Sequence, residues 1–152
     1  MGDKMIIVSS CLIGEKCRYD GRSQPNEEAL RLYNMGAAIP VCPECLGGLS
    51  VPRHAAEIVG GSGEDVLLGC ARVICRDENG EAEDVTNEFI LGAYRALAAA
   101  EKCGACEAIL KAKSPSCGCG LIYDGSFSGK LREGNGVAAA LLLKQGISVR
   151  SL

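Results

Sequence analysis

The sequence predicts an α/β fold: a single domain over residues 1–152 with a mostly parallel sheet flanked by helices, a Rossmann-like three-layer arrangement. Two observations carry this. Residues 5–41 read as strand, helix, strand within the length of one βαβ unit, and the rest of the chain continues to alternate strand-like and helix-like runs. A third observation locates the chemistry. Cysteines follow strand-like runs at three places: Cys11, Cys42 and the Ser114–Cys119 loop. Ligands of open parallel sheets bind outside the carboxyl ends of the strands, so these three loops are expected to share one site.

The elements are justified in order. Met5–Ser10 is short, apolar and β-branched, as a buried strand is. Cys11–Gln24 is polar and glycine-bearing, hence a loop. Asn26 offers a helix cap, Glu27 and Glu28 occupy the first turn, Leu30 and Tyr33 fall at helical spacing, and Gly36 closes the run. Ala37–Val41 is the second strand, and Cys42–Glu57, broken by Pro43, Gly47, Gly48 and Pro52, is a second loop. Val66–Arg76 reads as a strand or hairpin arm outside the parallel set, and Asp77–Gly80 as a turn. Thr86 is expected to cap a long helix to about Glu101, with Phe89, Ala93, Leu97 and Ala100 on one face. Ala108–Leu110 begins the third core strand, and Leu121–Gly129 mixes turn and strand. Asn135 is expected to cap a last helix, Gly136–Gln145, before a closing strand at Ile147–Arg150.

Composition excludes several function classes. A net charge of -3 without a basic cluster gives no electrostatic basis for binding a nucleic-acid polymer. No apolar run approaches the roughly 20 residues needed to cross a bilayer, so no membrane partner is expected. The first residues run straight into a strand pattern without a signal-peptide layout, which makes the cytoplasm the expected location. Ten cysteines are then the unusual feature. In a reducing compartment they point to metal, iron–sulfur or redox chemistry rather than to disulfides. Cys70 and Cys75 read equally well as small buried hydrophobes.

Cys11, Cys42 and Cys117 supply three thiolates and leave a fourth coordination position open. That count suits zinc with a water, and equally a [4Fe-4S] cluster with one free iron. The plainer alternative is three buried thiols at strand ends. Cys42-Pro-Glu-Cys45 and Cys103-Gly-Ala-Cys106 form two close pairs, which open two rival readings. One is a zinc-stabilised binding protein without chemistry, in which the two pairs hold one ion as a four-cysteine site and Cys103 and Cys106 are required. The other is a thiol-redox protein using Cys42 and Cys45. Glu44 is placed to act as an acid or base beside a metal, or is a solvated loop carboxylate. Ser114 and Ser116 orient substrate or cap the turn at Pro115. Arg18–Asp20 and Arg53–Glu57 are candidate loop ion pairs, unless an arginine holds a polar substrate. His54, the only histidine, reads as surface. The glycines and serines of Asp124–Gly129, with Gly134 and Gly136, suit an anion nest at a helix N-terminus. No nucleotide-binding glycine motif appears in a strand-to-helix context.

A series of short motifs occurs in order: Ser10-Cys-Leu-Ile-Gly14, Cys17-Arg-Tyr-Asp-Gly21, Pro40-Val-Cys-Pro-Glu44, Gly47-Gly48, Pro52-Arg53, Ala56-Glu57, Asp84-Val-Thr86, Ile109-Leu-Lys111, Ser114-Pro-Ser-Cys-Gly118 and Ile122-Tyr-Asp-Gly-Ser-Phe-Ser-Gly129. From about residue 5 onward the chain resembles the bacterial thiouracil desulfidase family. The resemblance implies a [4Fe-4S] enzyme that removes sulfur from a thiolated pyrimidine nucleobase, the substrate's sulfur binding the iron that lacks a protein ligand. Carried over by motif, Cys11, Cys42 and Cys117 are the ligands, Glu44 the acid–base residue and Ser114 a supporting residue, with Ser116 its neighbouring alternative. The chemistry is consistent: iron acts as a Lewis acid on a soft thiocarbonyl sulfur, and a carboxylate activates water. Cys45, Cys70, Cys75, Cys103, Cys106 and Cys119 depart from the pattern, and Cys17 lies nearer to it. Cys45 and Cys119 compete as ligands, and either one closing the fourth iron would count against a desulfidase.

Overall fold

A computed structural model describes residues 5–152; the first four residues, and the reading made of them, lie outside it. The chain enters β1 (Ile6–Ser9) and passes directly into a 3₁₀ turn, Ser10–Ile13, where an open loop is expected from sequence. Helix α1 (Glu27–Asn34) starts as expected, with the Ala29 amide donating to the Asn26 side chain at 3.1 Å. Its inward face is Ala29 and Leu32, while Tyr33 is exposed. After β2 (Ala38–Val41) the expected loop contains a short helix, α2 (Pro43–Leu46), with proline in its first turn.

β3 (Ala56–Val59) and α3 (Gly63–Leu67) follow, so Val66 and Leu67 end a helix and only the C-terminal part of the Val66–Arg76 run is strand, β4 (Arg72–Arg76). β5 (Ala82–Asp84) pairs with β4 across the expected turn, where the Asp77 carboxylate accepts the Asn79 and Glu81 amides. Helix α4 (Thr86–Lys102) is capped at Val85, not Thr86. The Thr86 hydroxyl is taken by β4, accepting the Val73 amide at 2.8 Å. β6 (Glu107–Leu110), β7 (Leu121–Tyr123), β8 (Leu131–Glu133), α5 (Val137–Lys144) and β9 (Ser148–Ser151) complete the chain. Gly136, not Asn135, is the cap of α5. The Asn135 side chain accepts the Gly120 amide and donates to Glu64 instead.

Four strands form one parallel sheet in the order β2-β1-β6-β9. β3-β4-β5 form a separate antiparallel sheet and β7-β8 a hairpin. Side chains alternate across each strand. Val8 and Ile109 therefore pack with Ala29 of α1 and Leu12 on one face. Ile7, Ala108 and Leu110 pack with Phe89, Ala93 and Ala139 of α4 and α5 on the other. Both faces are covered, which is why these strands read as continuous apolar runs. No helix of the described residues is long and apolar enough to cross a membrane.

One packing detail governs the site. A Cβ on Gly47 would lie 1.9 Å from the Glu88 carbonyl oxygen, and one on Gly92 would lie 1.9 Å from that of Pro43. Helices α2 and α4 thus meet backbone to backbone, a contact only glycine permits. The Arg95 guanidinium adds a hydrogen bond to the Leu46 carbonyl at 2.6 Å. This seats α2, with Cys42 at its start and Glu44 in its first turn.

Candidate functional site

β2, β1 and β6 lie side by side and parallel, so their carboxyl ends point the same way. Each delivers a thiol beyond that edge: Cys42 caps α2, Cys11 lies in the 3₁₀ turn, and Cys117 lies in the loop after β6. All three line one cavity of about 470 Å³, together with Glu44 and Ser114. That volume is ordinary for a small-molecule site.

The Cys117 loop is built from hydroxyl and amide contacts. Ser114 Oγ accepts the Ser116 and Cys117 amides at 3.1 and 2.9 Å. On the other side, the amides of Gly136, Val137 and Ala139 donate to the carbonyls of Gly118, Pro115 and Ser116 at 2.8, 2.8 and 3.0 Å. These are the amides that a helix start leaves unpaired, and here the loop takes them. The expected anion nest is therefore absent at α5. In the Asp124–Gly129 turn the Gly125 and Phe127 amides do clasp an anion, but it is the chain's own Glu57, whose Oε1 accepts both at 3.0 and 3.1 Å. A Cβ on Gly136 would come within 2.6 Å of the Ser116 carbonyl carbon, so glycine sets how closely α5 approaches.

A chain of polar contacts crosses the cavity wall. Ser114 Oγ and Ser116 Oγ are 3.0 Å apart, Ser116 Oγ is 3.3 Å from Glu44 Oε2, and Glu44 Oε2 is 3.4 Å from Arg53 Nη2. Ser116 Oγ also lies 3.6 Å from Cys117 Sγ. The ion pairs differ from those expected: Arg53 pairs with Glu44 rather than Glu57, and Asp20 with Arg22 rather than Arg18. His54 is exposed beside Glu78, as a surface residue is.

Sequence reasoning sets Cys17 near the family pattern but gives it no role; it lines the cavity. Its contact with Cys11 raises its thiol pKa to about 12, with burial adding and Cys42 opposing. The Cys42 thiol faces the Cys17 carbonyl at 3.9 Å. Burial pushes Cys117 up to about 11 against the pull of the Ser9 and Ser116 hydroxyls. Lys111 also lines the cavity, and burial, helped by Arg18, holds its ammonium below the ordinary value. Ser9 accepts the Lys111 amide at 2.9 Å, tying the end of β1 to that of β6. Tyr19 and Tyr123 add aromatic surface to the lining.

The remaining cysteines separate by position. Cys119 turns away from the cavity, its thiol 3.6 Å from the Val149 carbonyl and its amide on Ser151. Cys75 is buried in the core and Cys70 is exposed. Cys103 and Cys106 lie before β6, at the amino end of the sheet, so they cannot meet Cys42 and Cys45 around one ion. Contact with Cys17 and burial raise the Cys42 thiol pKa, and burial lifts Cys45 to about 11.

Comparison with known proteins shows the family and the fold. The family model described as 2-thiouracil desulfurase matches residues 6–151. The uncharacterized protein YbbK of Bacillus subtilis (strain 168) is 49% identical over 147 residues, covering 97% of this chain and 95% of its own. A solved structure described as the [4Fe-4S]-dependent thiouracil desulfidase TudS superposes with a TM-score of 0.82 at 42% identity, covering 98% of this chain and 91% of that one.

Proposed function

Because the chain belongs to the 2-thiouracil desulfurase family, we propose that it removes sulfur from a thiolated pyrimidine base such as 2-thiouracil, using a [4Fe-4S] cluster held by Cys11, Cys42 and Cys117. The observation that carries this reading is the convergence of these three thiols, from three strand ends, on one cavity that also holds Glu44 and Ser114.

The donor set fits such a group. Thiolate is the ligand that iron–sulfur clusters take. A lone zinc ion would take all three thiolates at about 2.3 Å from one metal. A cluster instead takes each thiolate on a separate iron. When bound, it supplies a Lewis-acidic iron with an open position for a soft thiocarbonyl sulfur.

The protein's own residues supply the rest. Glu44 accepts a proton from the water that attacks the thiocarbonyl carbon. Ser114 and Ser116 orient that carboxylate and the water. The carbon gains oxygen and loses sulfur as hydrogen sulfide (C=S + H₂O → C=O + H₂S), so no net electron transfer is required. Tyr19 and Tyr123 offer flat aromatic surface to a nucleobase. Such a site acts on a free small molecule in a reducing cytoplasm, without nucleic-acid polymer or membrane.

The test is anaerobic reconstitution, iron and sulfide analysis, and incubation with 2-thiouracil, following uracil and sulfide release. The expected result is a cluster-loaded protein that releases both. A chain that takes up no iron under these conditions is not this enzyme. Glu44→Gln is expected to keep its iron and lose roughly 10²- to 10⁴-fold in kcat.

A further inference from the structure

We infer that Arg53 is a positioning residue: its buried guanidinium holds one oxygen of Glu44 and the backbone of Cys17 together, leaving the other Glu44 oxygen to carry the proton. This rests on the proton-handling role proposed for Glu44. Arg53 does not line the cavity, so it acts through its neighbours.

Four contacts define the arrangement. Arg53 Nη2 lies 3.4 Å from Glu44 Oε2 and donates to the Cys17 carbonyl at 3.0 Å. Arg53 Nη1 donates to the Ser50 carbonyl at 3.1 Å, and the Arg53 amide donates to the Tyr19 carbonyl at 2.6 Å. One residue thereby joins the loop carrying Cys17 and Tyr19 to the helix carrying Cys42 and Glu44. The Cys17 carbonyl it holds is also the group that the Cys42 thiol faces.

The two Glu44 oxygens are not equivalent. Oε2 is shared by Arg53 and Ser116, at 3.4 and 3.3 Å. Oε1 has no hydrogen-bond partner among the described residues, yet Glu44 lines the cavity. An oxygen committed to a guanidinium and a hydroxyl is a poor proton acceptor, whereas the uncommitted one is free to act.

This clamp carries a cost. The Arg53 side chain is 9% exposed and the Glu44 side chain 17%. Arg53 Nε is enclosed without a partner, and a buried unpaired donor is destabilising. Burying an ion pair is weak support for stability in any case. A neutral side chain would tie the loops together without that penalty, so the charge is better explained by what it does to Glu44.

The test uses anaerobically reconstituted holoenzyme carrying Arg53→Met, Arg53→Lys, Glu44→Gln and the Arg53→Met/Glu44→Gln double change. Iron per chain, the visible spectrum, kcat and KM for 2-thiouracil are read for each. Arg53→Met is expected to keep its iron and spectrum, to lose about 100-fold in kcat, and to change KM by less than about threefold. Arg53→Lys, a point charge without the planar fork, is expected to recover about tenfold of that loss. In the Glu44→Gln background Arg53→Met is expected to add less than about threefold, because the two act as a unit. Loss of iron in both Arg53 variants, or fully additive losses in the double variant, overturns the proposal. An inert Glu44→Gln beside a fully active Arg53→Met overturns the proposal alone. A fully active Glu44→Gln overturns the role of Glu44 and this proposal with it.

Discussion

The two ends of the parallel sheet treat cysteine differently. At the carboxyl ends of β2, β1 and β6, Cys42, Cys11 and Cys117 are mostly or fully enclosed and share one cavity. At the amino end of β6, Cys103 and Cys106 satisfy their thiols locally, on the Ala100 carbonyl at 3.4 Å and the Gly104 carbonyl at 3.9 Å, and Cys106 is exposed. The amino-end pair has the tighter spacing in sequence, yet the dispersed trio meets in space. Strand direction, not Cys-x-x-Cys spacing, decides which thiols converge, because a parallel sheet collects distant segments at one edge.

The largest expected effect tests this contrast directly. Cys11→Ala, Cys42→Ala and Cys117→Ala, each reconstituted without oxygen, are expected to fall to background iron and lose turnover. The Cys103→Ser/Cys106→Ser double variant should retain both. Iron loss in the double variant would break the comparison.

Two glycines sharpen it at the level of packing. Gly92→Ala forces a methyl into the Pro43 carbonyl and should destabilise the fold by about 1–3 kcal/mol, measured by urea denaturation. Because α2 carries Cys42 and Glu44, iron should also be lost faster to a chelator. Gly104 has φ of +70° and open space where a Cβ would go. Gly104→Ala should therefore cost only about 1–2 kcal/mol of backbone strain and leave iron retention unchanged.

The smallest effect belongs to the antiparallel sheet. The Arg72 guanidinium, 2.8 Å away, holds the Asp84 carboxyl near pH 2, below its ordinary 3.8. A depressed carboxylate stabilises the fold above its unfolded value and loses that contribution as pH falls toward 2. Both partners are substantially exposed, so the effect is a few tenths of a kcal/mol. Asp84→Asn should flatten the stability profile between about pH 4 and 2 and leave iron content at neutral pH untouched. A change in iron would mean that this sheet reaches the site.

Much of this was legible from residues alone, for identifiable reasons. The core strands announce themselves because both faces are covered, and the caps at Asn26 and Gly36 act locally. The cysteines at strand ends follow from those two facts. Helix α2 was hidden because its residues carry proline and glycine signals of a loop, and its stability comes from Gly92, far away in sequence. The Thr86 and Asn135 side chains were diverted from capping by tertiary partners, Val73 and Gly120, which no local pattern reveals. Cys17 follows no strand and reaches the cavity only because its loop folds back, the Gln24 amide donating to the Cys11 carbonyl at 2.9 Å and the Asn26 amide to that of Leu12 at 2.8 Å. Cys119, two residues beyond Cys117, looked equally eligible, and its contacts with Val149 and Ser151 decide otherwise.

The amides of Gly136, Val137 and Ala139 that hold the Cys117 loop bear on the order in which the protein is made. Cys11 and Cys42 leave the ribosome early, and β1 and β2 can pair as soon as α1 has formed. The third thiol waits: its loop lacks its hydrogen-bond partners until the start of α5 has been synthesised, and β6 lacks its outer neighbour until β9 follows. Cys11 and Cys42 are thus made well before the segment that holds the third thiol in place. Completion of the three-thiol cavity therefore waits for α5 and β9.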